Sequence, residues 1–340
     1  MLSSIASLKG GARSGLPRQW GQQQLGGIRR NGFSSTRMVS EKASDIKRVT
    51  VIGGGQMGSG IAQVALMNKY NVTLVDVSED ALGRGKAAMA HSLRRLGKKR
   101  YGDDQDAKAA FVEEAMSRVS LSTSPVAAAK KADLVVEAIV ENIGVKQKLF
   151  AELAKAAPEE ALLASNTSSL PIGKIAEAVD PARRGNVIGM HFFNPVPKMD
   201  LVEVVRSDGS NAQAVDRAVA FVRSIGKEPV VCKDTPGFIV NRLLLPYMME
   251  AMRLLERGVA SAHDIDTAMR LGAGYPMGPF KLCDYVGLDT IKFIVDGWYK
   301  EGAGLRGDKT FGPCKTLDDL VASGRLGVKT GAGFYDYPKK

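Results

Sequence analysis

Cysteine and histidine are scarce, at three each in 340 residues. Cys232, Cys283 and Cys314 form no C-x-x-C pair and no disulfide framework. A stapled secreted domain is thereby excluded, no metal is expected, and the thiols suit a reducing compartment. No apolar run approaches the roughly 20 residues of a membrane span. No internal repeat and no low-complexity segment follows residue 45. Acid is missing altogether from residues 1–40, which hold Lys9, Arg13, Arg18, Arg29, Arg30 and Arg37. That stretch is rich in Ser, Gly, Gln and Arg and has no long apolar core. Its composition is that of a mitochondrial transit peptide rather than a secretory signal. Residues 1–45 are therefore expected to be a transit peptide and disordered tail, cleaved between Arg30 and Lys47, and the mature protein is expected in the mitochondrial matrix. Those six cations also supply six of the eleven net positive charges. No nucleic-acid motif accompanies the remainder, so a nucleic-acid partner is set aside.

The chain is organised around Val49–Asp76. Val49, Val51 and Ile52 read as a buried parallel strand. Gly53, Gly55 and Gly58 then give G-x-G-x-x-G, with Gln56 and Met57 inside it. The first glycine permits the tight turn, the second lets backbone approach a pyrophosphate, and the third lets the following helix pack against the strand. The free N–H groups at the helix start then face the phosphates. A second strand, Val72–Val75, leads into Asp76, about 20 residues on, where a carboxylate holds the adenosine ribose and repels a 2′-phosphate. The motif in this context points to NAD.

Further strands are read at Asp133–Val140, Ala161–Ala164, Asn186–Met190, Leu201–Val205 and Pro229–Cys232, with helices between them and a second helix over residues 102–120. The result is an α/β, Rossmann-like doubly wound domain over residues 46–234. From Thr235 the pattern becomes helical, with a long helix starting at Pro236-Gly237, a stop at Gly258, and a capping box from Ser261 to Asp264. Residues 235–340 are expected to form an all-α C-terminal domain, and the wide apolar stripe of its first helix calls for a large partner surface. The glycine-rich segment 301–311 fits no pattern. Between Ala81 and Gly102, on the helix after Asp76, the chain carries Arg84, Lys86, Arg94, Arg95, Lys98, Lys99 and Arg100 and no acid, which is either a solvated face or a landing site for a polyanion.

In open α/β sheets ligands sit beyond the carboxyl ends of the strands, where Glu141, Ser168 and His191 fall. Glu203 lies among aliphatics, and a buried carboxylate needs a partner. His191 is the nearest one. Such a dyad suits removal of hydride from an alcohol: the imidazole takes the hydroxyl proton and the carboxylate steadies the imidazolium.

Seven stretches taken in order carry a resemblance: GGGQMG (53–58), VVEAIVEN (135–142), SNTSS (165–169), HFFNP (191–195), LVEVV (201–205), DTPGFIVNR (234–242) and GAGYPMGPF (272–280). Together they strongly resemble the L-3-hydroxyacyl-CoA dehydrogenase family, in its monofunctional short-chain mitochondrial form, from about Lys47 onward. The resemblance implies NAD-dependent oxidation of L-3-hydroxyacyl-CoA to 3-ketoacyl-CoA in fatty-acid β-oxidation. It makes His191 the catalytic base and Glu203 its orienting partner. Ser168 and Asn241 hold the substrate oxygen. Asp76, Glu141, Lys146, Ser168, Asn194 and Lys329 become cofactor contacts beside the glycine turn. Ser92 and Lys99, with Lys146 nearby, become contacts to CoA, so the region near 81–120 is read as a helical CoA-binding insertion. The C-terminal helices are implied to close over the substrate and to form a homodimer. A related dehydrogenase acting on a non-CoA hydroxy acid, or a non-enzymatic crystallin-like protein on the same fold, stays open on these residues.

Overall fold

The computed structural model describes residues 44–338. The expected transit peptide lies outside them, save for its last two positions. Eight strands form one sheet: β1 (Arg48–Ile52), β2 (Asn71–Val75), β3 (Val119–Ser122), β4 (Leu134–Glu137), β5 (Leu162–Ser165), β6 (Val187–Phe192), β7 (Leu201–Arg206) and β8 (Glu228–Lys233). Their order is β3-β2-β1-β4-β5-β6-β7-β8. Every neighbouring pair is parallel except β6 and β7. The chain reverses its direction of winding at β1, so the crevice beyond β1 and β4 is the topological switch point where a doubly wound sheet binds its ligand.

Helices α1 (Gln56–Met67), α2 (Glu79–Tyr101), α3 (Gln105–Met116), α4 (Pro125–Ala129), α5 (Ile143–Ala156), α6 (Ile172–Ala176) and α7 (Ala212–Ser224) connect these strands. Val51, Leu74, Leu134, Val136 and Leu163 are fully buried in the sheet, as strands covered on both faces require. Ser78 opens α2 by accepting from Ala81 N–H at 3.3 Å, and Asn142 opens α5 by accepting from Val145 N–H at 3.1 Å, each satisfying one of the donors that a helix start leaves unpaired.

The remainder is helical: α8 (Val240–Glu256), α9 (Ala262–Gly272), α10 (Pro279–Val286), α11 (Leu288–Glu301) and α12 (Lys315–Ala322). Their core gathers Met248, Met249, Met252, Phe280, Ile291, Val295, Trp298 and Phe311. Gly258, at φ +66°, ends α8: its N–H reaches Leu255 and that of Val259 reaches Leu254, the Schellman arrangement. The segment 301–311 proves to be a plug. Leu305 and Phe311 are buried in this core, and Arg253 donates to the carbonyls of Lys309 and Thr310 at 2.8 Å. None of the described helices is long and apolar enough to cross a membrane.

Several elements depart from the sequence reading. Residues 102–120 hold α3 and the start of β3, a strand too short and too polar to read as buried. The strand expected to run to Val140 stops at Glu137, because Ile139 N–H turns back onto the Glu137 carboxylate at 2.7 Å. The strand expected at Asn186–Met190 runs on through Phe192, so His191 belongs to β6 instead of following it. The long helix starts at Val240 rather than at Pro236-Gly237, since Gly237 (φ +78°) and Phe238 (φ +51°) take left-handed backbone there. Only the first of those two can do so without strain.

Candidate active site

The glycine turn joins β1 to α1. A Cβ on Gly58 would overlap the carbonyl oxygen of Gly53, and one on Gly53 would overlap that of Ala138. At Gly55 an added Cβ meets nothing within 4 Å. Two glycines thus serve close packing, and the third faces free space where a phosphate can come up to the backbone. The first-turn N–H groups of α1 point there unpaired. Asp76, just past β2, accepts from Gly54 N–H through Oδ2 at 2.8 Å and from Ser78 N–H through Oδ1 at 3.1 Å. Its carboxylate therefore sets the turn from just beyond the end of β2. The residues present fit a dinucleotide.

Two cavities of about 380 Å³ each flank this turn, and Asn194 lines both. Gln56 Nε2 donates to Asn194 Oδ1 at 3.0 Å, tying the start of α1 to the loop after β6. The first cavity runs from Gly55 along α2 past Arg84 to Ser92. Lys99 lies seven residues beyond Ser92, on the same face of α2 and exposed.

The second cavity contains the chemistry, and Met57, Glu141, Lys146, Ser168, His191 and Asn241 line it. His191 and Glu203 are direct register partners across the β6–β7 pair. Directly opposed residues project to the same face of a sheet, so Nδ1 of His191 meets Glu203 Oε2 at 2.7 Å. The other carboxylate oxygen accepts from Ile239 N–H at 3.0 Å and Val240 N–H at 2.9 Å, at the start of α8. Burial pushes the Glu203 carboxyl up, yet the hydrogen bonds from His191, Val240 and Ile239 and the His191 charge outweigh it, and it lies below the ordinary glutamate range. His191 is 6% exposed, packed between the rings of Phe193 (4.4 Å between centroids) and Phe238 (5.6 Å). Asn241 Nδ2 lies 3.5 Å from the Ser168 carbonyl, so α8 delivers its side chain beside the loop after β5.

That loop is held by Glu141. Its Oε1 accepts from Thr167 Oγ1 at 2.5 Å, Ser168 N–H at 2.9 Å and Ser169 Oγ at 3.3 Å. Burial raises the Glu141 carboxyl, but the Lys146 charge and the hydrogen bonds from Thr167, Ser168 and Lys146 bring it below its usual range. Lys146 Nζ lies 3.1 Å from Glu141 and 2.5 Å from Glu137. With 1% of its side chain exposed and its ammonium between two carboxylates, Lys146 stands in the His191 cavity and not with Ser92 and Lys99. The structure thus sets Lys146 apart from Ser92 and Lys99, the other two residues expected at CoA. Lys329 lines neither cavity; its ammonium rests 2.6 Å from Asp289.

Two important residues escaped the sequence reading. Glu137 has no exposure at all, and a charge ending the apolar run Leu134–Val136 was the available signal. Phe238 owes its place over His191 to a backbone conformation that no periodicity reveals.

A doubly wound sheet with a dinucleotide turn at its switch point, opening on a histidine–carboxylate pair, defines an NAD-dependent dehydrogenase. Comparison with known proteins narrows the class. The family model for the 3-hydroxyacyl-CoA dehydrogenase NAD binding domain matches residues 48–235, and that for the 3-hydroxyacyl-CoA dehydrogenase C-terminal domain matches residues 237–337. The mitochondrial hydroxyacyl-coenzyme A dehydrogenase of Sus scrofa is 51% identical over 310 residues, covering 91% of this chain and 97% of the relative. The Homo sapiens protein of the same name is 53% identical over 304 residues, covering 89% and 95%. The crystal structure of (S)-3-hydroxybutyryl-CoA dehydrogenase from Ralstonia eutropha superposes with a TM-score of 0.79 at 38% identity, covering 87% of this chain and all of that one. The chain belongs to the 3-hydroxyacyl-CoA dehydrogenase family.

Proposed function

We propose that the chain oxidises an L-3-hydroxyacyl-CoA to the 3-ketoacyl-CoA in the mitochondrial matrix, as a step of fatty-acid β-oxidation, and works as a homodimer. The observation that carries the reading is the buried His191–Glu203 pair opening on a cavity that Ser168 and Asn241 also line. Bound NAD supplies the hydride acceptor, held by the glycine turn, Asp76, Glu141, Lys146, Ser168, Asn194 and, on a closed C-terminal domain, Lys329. Glu203 occupies Nδ1 of His191, leaving Nε2 to take the substrate hydroxyl proton. The carboxylate stabilises the imidazolium that results. Ser168 and Asn241 hold the oxygen as it changes from hydroxyl to carbonyl, and the flanking rings of Phe193 and Phe238 keep water from the base. Ser92, Lys99 and the neighbouring cations of α2 meet the CoA phosphates. The names of the mitochondrial relatives and the acid-free first 40 residues support the compartment. Leu243, Leu271 and Phe293, 70%, 72% and 74% exposed on the helical domain, support a second copy as its cover.

The test follows NADH absorbance with protein lacking residues 1–45. Acetoacetyl-CoA, free acetoacetate and an NADPH control are compared in the reductive direction. Turnover confined to the thioester and NADH is the expected result; equal turnover of free acetoacetate overturns the CoA reading.

A further inference from the structure

The carboxylates of Glu137 and Glu141 share a single ammonium. Lys146 Nζ sits 2.5 Å from Glu137 Oε1 and 3.1 Å from Glu141 Oε2. The remaining partners of both acids are neutral: Ile139 N–H (2.7 Å) and Ser165 Oγ (2.7 Å) for Glu137, and Thr167, Ser168 and Ser169 for Glu141. Two negative charges and one positive charge therefore leave the triad one unit negative. Glu137 and Lys146 are buried completely or almost so. A buried ion pair gains little stability over apolar residues of the same size, so stability alone does not account for a Glu137–Lys146 pair behind Glu141. The triad borders the cavity of His191, and the nicotinamide ring has to enter that cavity to lie beside the carbon whose hydroxyl His191 faces.

We propose that Glu137 is a positioning residue that fixes Lys146 and sets the charge of the triad, so that the site prefers the oxidised, cationic nicotinamide over the neutral reduced ring. The inference rests on the His191 reading of the cavity. The adenosine, phosphates and riboses are common to both cofactor forms, so contacts to them cancel in the ratio of the two affinities. What remains is the charge on the ring, which an uncompensated negative wall of low dielectric favours. The neutral reduced ring gains nothing from this charge, so the oxidised form replaces it more readily in the direction of alcohol oxidation.

The experiment measures dissociation constants of NAD⁺ and NADH by calorimetry without substrate, and turnover in a separate assay. Glu137→Gln makes the triad neutral, and the affinity of NAD⁺ relative to NADH should fall about tenfold. Glu137→Gln with Lys146→Met removes both buried partners, leaves Glu141 as the single charge, and should keep the wild-type ratio within about twofold. Ser165→Ala loosens the geometry without altering charge and should also keep it. If Glu137→Gln does not fold, Glu141→Gln neutralises the triad from its more exposed end and should lower the ratio in the same way. An unchanged ratio in the neutral variant overturns the proposal, as does the same fall in the charge-restoring double variant. His191→Gln is measured alongside. A normal ratio there with turnover lost supports both readings, whereas normal turnover rejects the base while leaving the binding result to judge the triad by itself.

Discussion

His191 and Glu203 hold each other in place, and both gain from the arrangement. The carboxylate fixes the imidazole through Nδ1, and the same group ties down the N–H groups of Ile239 and Val240, where the helix that brings in Asn241 begins. Replacing His191 with Gln is expected to lower kcat by about 10²–10⁴ with NADH affinity nearly unchanged; steady-state kinetics and cofactor titration check both halves. Glu203→Gln keeps a carbonyl oxygen for α8 but loses the charge facing His191. Its kcat should fall less than that of His191→Gln, with an altered pH–rate profile. It should also cost roughly 1–3 kcal/mol of stability near neutral pH. The sign with pH follows from the lowered carboxyl. A depressed carboxyl contributes fully above the unfolded value of about 4.3 and loses its contribution as pH falls through the folded value. Thermal melts should therefore show a deficit for Glu203→Gln that is constant from neutral pH down to about 5 and that shrinks below 4.

Among the elements, α2 shows a clear division of labour. Leu82, Gly85, Met89, Leu93 and Gly97 form its buried face, and Gly85 lets it pass so close to the dinucleotide turn that a Cβ would lie 2.9 Å from the Gly54 carbonyl oxygen. The cations Arg84, Lys86, Arg94, Arg95, Lys98, Lys99 and Arg100 are exposed. A cation that meets a phosphate contributes binding that salt weakens. Lys99→Ala should raise KM for acetoacetyl-CoA about three- to tenfold with kcat little changed, and the effect should vanish with an acetoacetyl-pantetheine thioester, which carries no phosphate. An equal effect on both thioesters would remove Lys99 from the phosphate site. At the turn itself, Gly58→Ala should abolish NADH binding by forcing α1 away from Gly53; fluorescence titration of NADH reads this directly.

Over the whole molecule, the sheet carries the His191–Glu203 pair and the helical domain adds Asn241 to the same cavity. The C-terminal segment is pinned inside that domain: Asp284 accepts from Phe334 N–H (2.8 Å), Tyr335 N–H (2.9 Å) and Tyr337 OH (2.9 Å), and Asp266 accepts from Tyr335 OH (2.8 Å). The domain also leaves Leu243, Leu271 and Phe293 bare. Light scattering should give twice the mass of the chain, and Leu243→Glu combined with Phe293→Glu should return the monomer. A monomeric wild type would reject the dimer.

The sequence by itself determined the dinucleotide turn, the doubly wound class, the helical C-terminal domain and the histidine–carboxylate pairing. Each rests on short-range pattern: glycines at fixed offsets, apolar runs of strand length, helical periodicity, or a charge inside an aliphatic run. The tertiary structure decided what depends on strand order and on partners distant along the chain. The antiparallel pairing of β6 with β7 puts His191 opposite Glu203. The turn through Gly237 and Phe238 delays α8 and aims its N–H groups at that same carboxylate. Burial between Glu137 and Glu141 puts the Lys146 ammonium in the His191 cavity rather than on α2 with Ser92 and Lys99, because a buried ammonium with two carboxylates in reach is held by them.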